Sequence, residues 1–86
     1  MERTLKTLIP NEPEVMMRVT ALLKRKGYKM VRILMEETSV LAGAWLTITL
    51  AEEGPHFTGA LNTVAKVIGV RSVEEVPNQV AALELQ

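Results

Sequence analysis

The sequence predicts an α+β fold in which four strands and two helices follow one another in the order βαββαβ. Two segments place apolar residues at helical spacing, and each ends at a glycine, the residue that most readily takes the left-handed conformation after a helix. Four other segments have strand character, with apolar and polar residues alternating. Two βαβ units with right-handed crossovers then give a ferredoxin-like fold, a four-stranded antiparallel sheet with both helices on one face.

The first strand and the first helix meet at a junction rich in proline. Pro10 ends the strand, because proline cannot donate to a strand ladder, and Pro13 lies in the first helical turn, where no N–H is needed. Asn11 or Glu12 precedes the helix, and Asn11 is the better cap by residue type. Gly27 is predicted to end the helix. The predicted bounds are residues 3–9 for the strand and 13–26 for the helix.

The rest of the chain is predicted to hold three more strands and one more helix. The second strand is apolar on both faces, with Val31, Ile33 and Met35 on one side, which suggests a helix on one face and a partner subunit on the other. The predicted strands are residues 28–37, 44–51 and 70–76, the predicted helix is 56–68, and 37–43 and 52–55 are connections. The domain is predicted to span residues 1–78 and to leave 79–86 as a tail.

The composition argues against several classes of function. The chain has no cysteine, so disulfides, thiolate metal sites and cysteine nucleophiles are excluded. Ten basic and ten acidic residues give a net charge of zero, which argues against nucleic acid and anionic membranes as partners. His56 has no second histidine or cysteine beside it, so no metal site is expected, and no nucleophile–base pair indicates an enzyme.

The location of the protein is predicted from its apolar segments. No apolar run reaches the roughly 18 residues of a spanning helix. The first residues carry charge where a signal peptide has its apolar core. A cytoplasmic location is expected.

The junction between the first strand and the first helix is the predicted ligand site. A strand that leads directly into a helix leaves unpaired backbone N–H groups, which together with the helix dipole favour a small ligand with a carboxylate. Asn11 is either a contact for that ligand or a helix cap. Glu14 is interpreted as a carboxylate that stabilises the helix start and not as a catalytic acid.

Several residues around this junction follow a known pattern. The matching residues are Asn11-Glu12-Pro13, Val15, Arg18-Val19, Arg25-Lys26-Gly27-Tyr28 and Thr38, with a weaker match over residues 61–73. On these residues the chain resembles an ACT domain and, more narrowly, the small regulatory subunit of acetolactate synthase (acetohydroxyacid synthase).

The resemblance implies a non-catalytic regulatory subunit in branched-chain amino acid biosynthesis. Such a subunit forms a homodimer side by side through its sheet and activates the catalytic large subunit of acetolactate synthase. Thiamine diphosphate, magnesium and FAD would belong to that large subunit, so no cofactor is expected on this chain. A free-standing ACT-domain amino-acid sensor that regulates another enzyme is the alternative.

The resemblance also implies an effector site for valine, leucine or isoleucine. The residues it assigns to that site are Asn11, Pro13, Glu14, Val15, Lys29 and Met30. Three of the chain's residues depart from the pattern: Glu14 stands in place of glycine, Lys29 in place of asparagine and Glu36 in place of a small residue. A Cβ and a negative charge at Glu14 oppose a ligand carboxylate by roughly 1 kcal/mol or more. Lys29 could pair with Glu14 across a dimer interface and fill the site from within.

Two aromatic residues are the predicted interface residues. Trp45 lies on the strand face turned away from the helices, where it could anchor a partner, with ordinary packing as the equal alternative. Tyr28 is assigned to the interface with it.

Overall fold

The computed structural model describes residues 2–51 and 54–77 of the chain. The predicted order βαββαβ is confirmed. The elements are β1 Arg3–Pro10, α1 Pro13–Arg25, β2 Met30–Glu37, β3 Gly43–Leu50, α2 Phe57–Ala65 and β4 Ser72–Val76, with a short 3₁₀ turn at Val40–Ala42 between β2 and β3. Residues 52–53 of the turn predicted at 52–55, and the tail predicted at 79–86, lie outside the described residues.

The four strands form one antiparallel sheet in the order β2-β3-β1-β4. The central strand β1 pairs with β3 over its whole length, from Arg3 opposite Leu50 to Pro10 opposite Gly43. β2 and β4 are the two edge strands. Both helices pack on one face of the sheet, since a single core cluster joins side chains of α1 and α2 to alternate residues of β1 and β3.

The core explains why each helix lies where it does. α1 buries Val15, Val19 and Leu23, which recur every four residues and so share one side of the helix. These side chains join the buried residues of α2 and of the sheet, which are Phe57, Ala60 and Val64 with Leu5, Ile9, Ala44, Leu46, Ile48 and Leu50.

The two ends of α1 show one confirmed prediction and one correction. Gly27 has a φ of +93°, and the N–H groups of Gly27 and Tyr28 donate to the carbonyls of Lys24 and Leu23, so the predicted glycine stop is confirmed. At the other end the cap residue is Glu12, and no side chain caps the helix. The interpretation of Asn11 as the cap is therefore wrong, because its side chain bonds elsewhere.

A β-bulge changes which residues of β2 share a face. The pairing with β3 runs from Met30 opposite Leu50 to Arg32 opposite Thr49, so Val31 is an extra residue. Ile33 and Met30 were predicted on opposite faces, but both lie on the helix side of the sheet, opposite Ile48 and Leu50. A strict two-residue alternation put Met30 on the other face, since it contains no extra residue.

The sheet face turned away from the helices is called the outer face below. Trp45, Thr47 and Thr49 lie on it, as the alternation of β3 predicts, and their partners in β1 are Leu8, Lys6 and Thr4. This face is not open throughout, because Thr4, Leu8 and Val76 are buried there. The hydroxyls of Thr4 and Thr49 share a hydrogen bond of 2.9 Å.

Candidate functional site

The β1–α1 junction is held to the far end of β2 by one side-chain bond. Asn11 Nδ2 donates to Glu37 Oε2 at 2.9 Å, and both side chains are exposed. Glu37 is the last residue of β2 and lies opposite Ala44, so the bond reaches across from the end of β1 past β3. The amide that the sequence assigns to a ligand carboxylate is thus bonded to a carboxylate of the same chain.

The loop after α2 completes the junction on its other side. Gly69 has a φ of +101°, and a Cβ built there would lie 3.5 Å from Val15 Cγ2 and 3.7 Å from Pro10 Cδ. Arg18 Nη1 donates to the carbonyl of Ile68 at 3.0 Å. Gly69 can take this conformation without strain because it has no side chain. The loop therefore backs the start of α1 closely.

The structure brings four of the predicted ligand residues together. Asn11, Pro13 and Glu14 are exposed side by side at the start of α1, with Glu14 in the first turn at the positive end of the helix dipole. Val15 is only 4% exposed and belongs to the core, so its backbone and not its side chain faces the junction surface. The carboxylates of Glu14 and of Glu37, the partner of Asn11, are among the negative charges near the place where a ligand carboxylate was expected.

Lys29 and Met30 lie at the opposite end of the sheet within one chain. Met30 is opposite Leu50, and Leu50 is opposite Arg3 at the start of β1. An eight-residue strand separates this end from Asn11, about 23 Å at the usual rise per residue. A single copy of the chain therefore does not assemble the predicted site, and Lys29 cannot reach Glu14 of its own chain.

The two predicted interface residues have different surroundings. Tyr28 is 7% exposed and lies in the core, where its hydroxyl donates to the carbonyl of His56 at 2.8 Å. Trp45 is half-buried on the outer face, with Lys6 Nζ 4.7 Å from the centre of its ring. Little of Tyr28 is left for a partner to contact, whereas the Trp45 ring is available.

Residues that sequence reasoning missed are those whose partners are distant in the chain. Glu37, Arg18 and Gly69 all shape the junction, and their contacts join positions 26 to 59 residues apart. Of these three residues only Gly69 was noticeable in the sequence, because it is a glycine and was predicted to end the second helix.

The described residues contain neither a cluster of metal ligands nor a helix that could cross a membrane. Within residues 2–51 and 54–77 no group of three or more His, Cys, Asp or Glu side chains is placed to hold a metal ion. Neither helix in that part of the chain has the length and apolar character needed to span a bilayer.

Comparison with known proteins identifies solved structures that share this fold. No protein-family model matches this sequence, and no curated protein matches it. Solved structures do. The acetolactate synthase small subunit from Thermotoga maritima matches with a TM-score of 0.78 and 22% identity, over 90% of this chain and 48% of that chain. The chain thus spans about half of that subunit's length.

Two further solved structures share the fold. The ACT domain of the GTP pyrophosphokinase of Chlorobium tepidum matches with a TM-score of 0.70 and 12% identity, over 88% of this chain and 97% of that domain. A formyltetrahydrofolate deformylase from Pseudomonas syringae matches with a TM-score of 0.63 and 12% identity, over 87% of this chain and 28% of that one. The chain has the fold of an ACT domain.

Proposed function

We propose that this chain is a non-catalytic regulatory subunit of an acetolactate synthase, acting in the cytoplasm in branched-chain amino acid biosynthesis. The observation that supports this most is the match of 90% of the chain to an acetolactate synthase small subunit, at a TM-score of 0.78. The residues Asn11-Glu12-Pro13 and Arg25-Lys26-Gly27-Tyr28, which carry the sequence resemblance, flank α1 in the structure.

The proposed mechanism is differential binding. A partner changes the activity of an enzyme only by as much as it binds one conformation of that enzyme more tightly than another. The chain stabilises the active conformation of the catalytic large subunit, which holds the thiamine diphosphate, magnesium and FAD. Nothing in this mechanism requires a reacting group on the regulatory chain.

The chain acts as a homodimer that extends its sheet. Equivalent edge strands paired antiparallel bring the start of one strand to the end of the other. Such a pairing would carry the partner subunit's Lys29 and the partner subunit's Met30 towards Asn11, which explains how residues at opposite ends of one chain belong to one site. The six residues assigned by resemblance are a composite site of two copies.

This composite site is proposed to respond weakly or not at all to valine, leucine and isoleucine. The amide of Asn11 is occupied by Glu37, and Glu14 adds a second carboxylate at the helix start. Two carboxylates repel a third by about 1 kcal/mol per pair at 4 Å in water and by more in a partly buried site. The regulatory output is then activation of the catalytic subunit without feedback.

Trp45 is proposed as the contact for the catalytic subunit, and Tyr28 is not. The Trp45 ring lies on the outer face and is half-buried, while Tyr28 is inside the core. Tryptophan is enriched among the side chains that dominate binding energy at interfaces.

A titration of the purified chain into the catalytic subunit of the same organism tests the proposal. Acetolactate formation should rise and saturate, and Trp45→Ala should raise the concentration needed for half-maximal activation. Met17→Ala, an exposed apolar residue on α1, is the matched control and should change nothing. Absence of both activation and co-sedimentation would contradict the proposal. Binding of an amino acid without affinity for the catalytic subunit would favour the free-standing sensor.

A further inference from the structure

Two loops at the same end of the sheet each expose a large aliphatic side chain to solvent. The 3₁₀ turn at Val40–Ala42 exposes Leu41 by 66%, and the loop after α2 exposes Ile68 by 83%. Both loops lead into strands, β3 and β4, whose first residues pair near the end of β1. Single exposed aliphatic side chains are ordinary on a protein surface, so exposure alone does not identify a binding surface.

The backbone around Leu41 is held in a conformation that its side chain disfavours. Leu41 and Ala42 have φ values of +52° and +50°, in the left-handed region that glycine and asparagine tolerate best. Arg71 Nη1 donates to the carbonyl of Leu41 at 2.7 Å, and the N–H of Thr38 donates to the carbonyl of Gly43 at 3.0 Å, which fixes the turn. Strain of this kind is concentrated at sites where a function requires the conformation. Leu41 is not part of the core cluster, so the strain does not serve core packing.

An arginine lies beside each of the two exposed side chains. Besides its bond to Leu41, Arg71 donates its backbone N–H to the carbonyl of Leu8 at 2.8 Å, and so ties the 3₁₀ turn to the start of β4. Arg18 Nη1 donates to the carbonyl of Ile68 at 3.0 Å. Both arginines are exposed, and within the described part of the chain each guanidinium uses one of its five N–H donors. The other donors suit the carboxylates of a partner, which guanidinium groups bind in bidentate fashion.

The outer face of the sheet is continuous with this end of the molecule at Gly43. A Cβ built on Gly43 would lie 3.3 Å from Leu8 Cδ1 and 3.2 Å from the carbonyl oxygen of Val40, so the 3₁₀ turn lies close to an outer-face side chain. Leu8 is opposite Trp45 in the ladder. Leu41 therefore borders the face that carries Trp45, the residue proposed above to contact the catalytic subunit.

We infer that Leu41 and Ile68, together with Trp45, form the surface that docks on the catalytic large subunit, an inference that rests on the proposed function. These three residues are called the docking surface below. Leu41 and Ile68 enter apolar pockets of the catalytic subunit, and carboxylates at the rims of those pockets bind Arg71 and Arg18. The strained turn holds Leu41 in its binding position before the partner arrives, which lowers the entropy lost on association.

The charges around the docking surface favour an acidic partner and not a second copy of the chain. Besides Arg18 and Arg71, Lys6 contributes a positive charge, with its Nζ 4.7 Å from the centre of the tryptophan ring. Carboxylates are present as well, since Glu14 precedes Arg18 by one helical turn and Glu36 lies on the outer face of β2. Neither is bonded to an arginine within the described residues. A two-fold contact of this surface with itself would bring like cations together, so the surface fits a different protein.

Asparagine in place of Leu41 separates binding from folding. Asparagine tolerates the left-handed region, so Leu41→Asn should keep or raise the free energy of unfolding while it removes the apolar side chain. The concentration needed for half-maximal activation of the catalytic subunit should rise about tenfold, and Ile68→Asn should shift it in the same direction. Met17→Asn is the matched control, since Met17 is an apolar residue of α1 with a similar exposure of 61%, and it should change nothing.

Thiol modification measures the contact itself, independently of activity. The chain has no cysteine, so Ile68→Cys introduces a single thiol. A water-soluble maleimide should modify this thiol more slowly once the catalytic subunit is added, as read from the mass of the small chain. Met17→Cys should react at the same rate with and without the catalytic subunit. An unchanged rate for Ile68→Cys in a mixture that shows activation would overturn the inference.

The salt dependence of binding tests the role of the arginines. The affinity of the wild type for the catalytic subunit should fall as the salt concentration rises, because salt screens charges at the rim of an interface. Arg71→Gln keeps a donor for the carbonyl of Leu41 but loses the charge, so its affinity should depend less on salt. Arg25→Gln, an exposed substitution in the last turn of α1, should keep the wild-type dependence. Equal dependence in Arg71→Gln and the wild type would contradict a carboxylate partner.

The outcomes distinguish this inference from the proposed function. If the wild type activates the catalytic subunit and both Leu41→Asn and Ile68→Asn do so equally well, the inference is overturned and the proposed function stands. If Leu41→Asn binds with wild-type affinity but no longer activates, the inference is overturned too, since a docking surface acts through affinity. If the wild type neither binds nor activates, the proposed function fails, and the docking surface fails with it.

Discussion

At the scale of single residues, the hydroxyl of Tyr28 leaves no room for a side chain at Gly59. A Cβ built on Gly59 would lie 2.5 Å from that hydroxyl oxygen and 3.9 Å from the ring carbon that bears it. Gly59→Ala should therefore destabilise the fold by about 1–3 kcal/mol, because the added methyl disrupts the bond from Tyr28 to His56. Chemical denaturation measures the effect.

The same pair offers an internal control. Tyr28→Phe removes the oxygen that the methyl would strike. In that background Gly59→Ala should stabilise the protein, by up to about 1 kcal/mol, since alanine is the better helix former. A destabilisation of equal size in both backgrounds would show that some other contact of Gly59 matters.

The pair formed by Arg3 and Glu75 should make stability depend on pH. Arg3 donates to both carboxylate oxygens, at 2.9 Å from Nε and 2.8 Å from Nη2, and these bonds hold the pKa of Glu75 below its ordinary value of 4.5. Stability from a depressed carboxyl pKa is fully present above the unfolded value and is lost as pH falls through the folded one.

The wild type should accordingly be more stable than Glu75→Gln at pH 7, and the difference should shrink as the pH approaches 3. Both side chains are more than a third exposed, so the difference is small at every pH. Repeating the substitution in an Arg3→Met background checks the cause, because the pH-dependent difference should disappear there. Its persistence would assign the effect to another group.

Single residues also show where sequence reasoning succeeds. The roles of Pro13 in the first turn of α1 and of Gly27 at its end were predicted correctly, because each residue acts through its own backbone conformation. The role of Asn11 was not, because its partner Glu37 is 26 residues away and only the sheet brings the two together. Local conformation can be predicted from a residue type, while a distant partner cannot.

At the scale of elements, the 3₁₀ turn between β2 and β3 stores strain in an exposed leucine. Leu41 has a φ of +52° and is 66% exposed, and its carbonyl accepts a bond from Arg71 Nη1 at 2.7 Å. A non-glycine residue in the left-handed region is destabilised by about 1–2 kcal/mol. Leu41→Gly should therefore leave the free energy of unfolding unchanged or raise it by about 1 kcal/mol.

The neighbouring residue is a matched control for this prediction. Val40 is also apolar and exposed but does not have a positive φ. Val40→Gly should destabilise by about 1 kcal/mol, since glycine then adds only unfolded-state entropy. Equal losses at the two positions would mean that Leu41 is not strained.

The bulge in β2 shows what limited the prediction of elements. Type and order of the strands and α-helices were predicted throughout, and the predicted ends differ from the observed ones by at most three residues, the largest difference being at the end of α2. Residues just beyond the end of a helix or strand can resemble it in composition without making its backbone hydrogen bonds. Val31 shifted the face of Met30 because an extra residue leaves no trace in an alternating pattern until the partner strand is known.

At the scale of the whole molecule, the arrangement of two helices on one face of a sheet could be predicted from the sequence, whereas the geometry of the proposed effector site could not. Periodicity fixed which faces are apolar, and two βαβ units have few ways to bury them. The proposed composite site depends on distances across the sheet, where Asn11 and Lys29 lie at opposite ends, and on a second copy. No pattern within one chain contains the geometry of a dimer.

The charge of the composite site gives the last prediction. Glu14→Gly combined with Glu37→Ala removes two of the carboxylates near Asn11, and adding Lys29→Asn restores two of the three positions at which the chain departs from the amino-acid-binding proteins that it resembles. Calorimetric titration should show valine binding at least about tenfold tighter than to the wild type, the equivalent of about 1.4 kcal/mol. Glu74→Ala, a carboxylate on the far edge strand, should bring no gain. Unchanged valine affinity in the triple variant, with dimerisation intact, would mean that the effector site lies elsewhere on the chain.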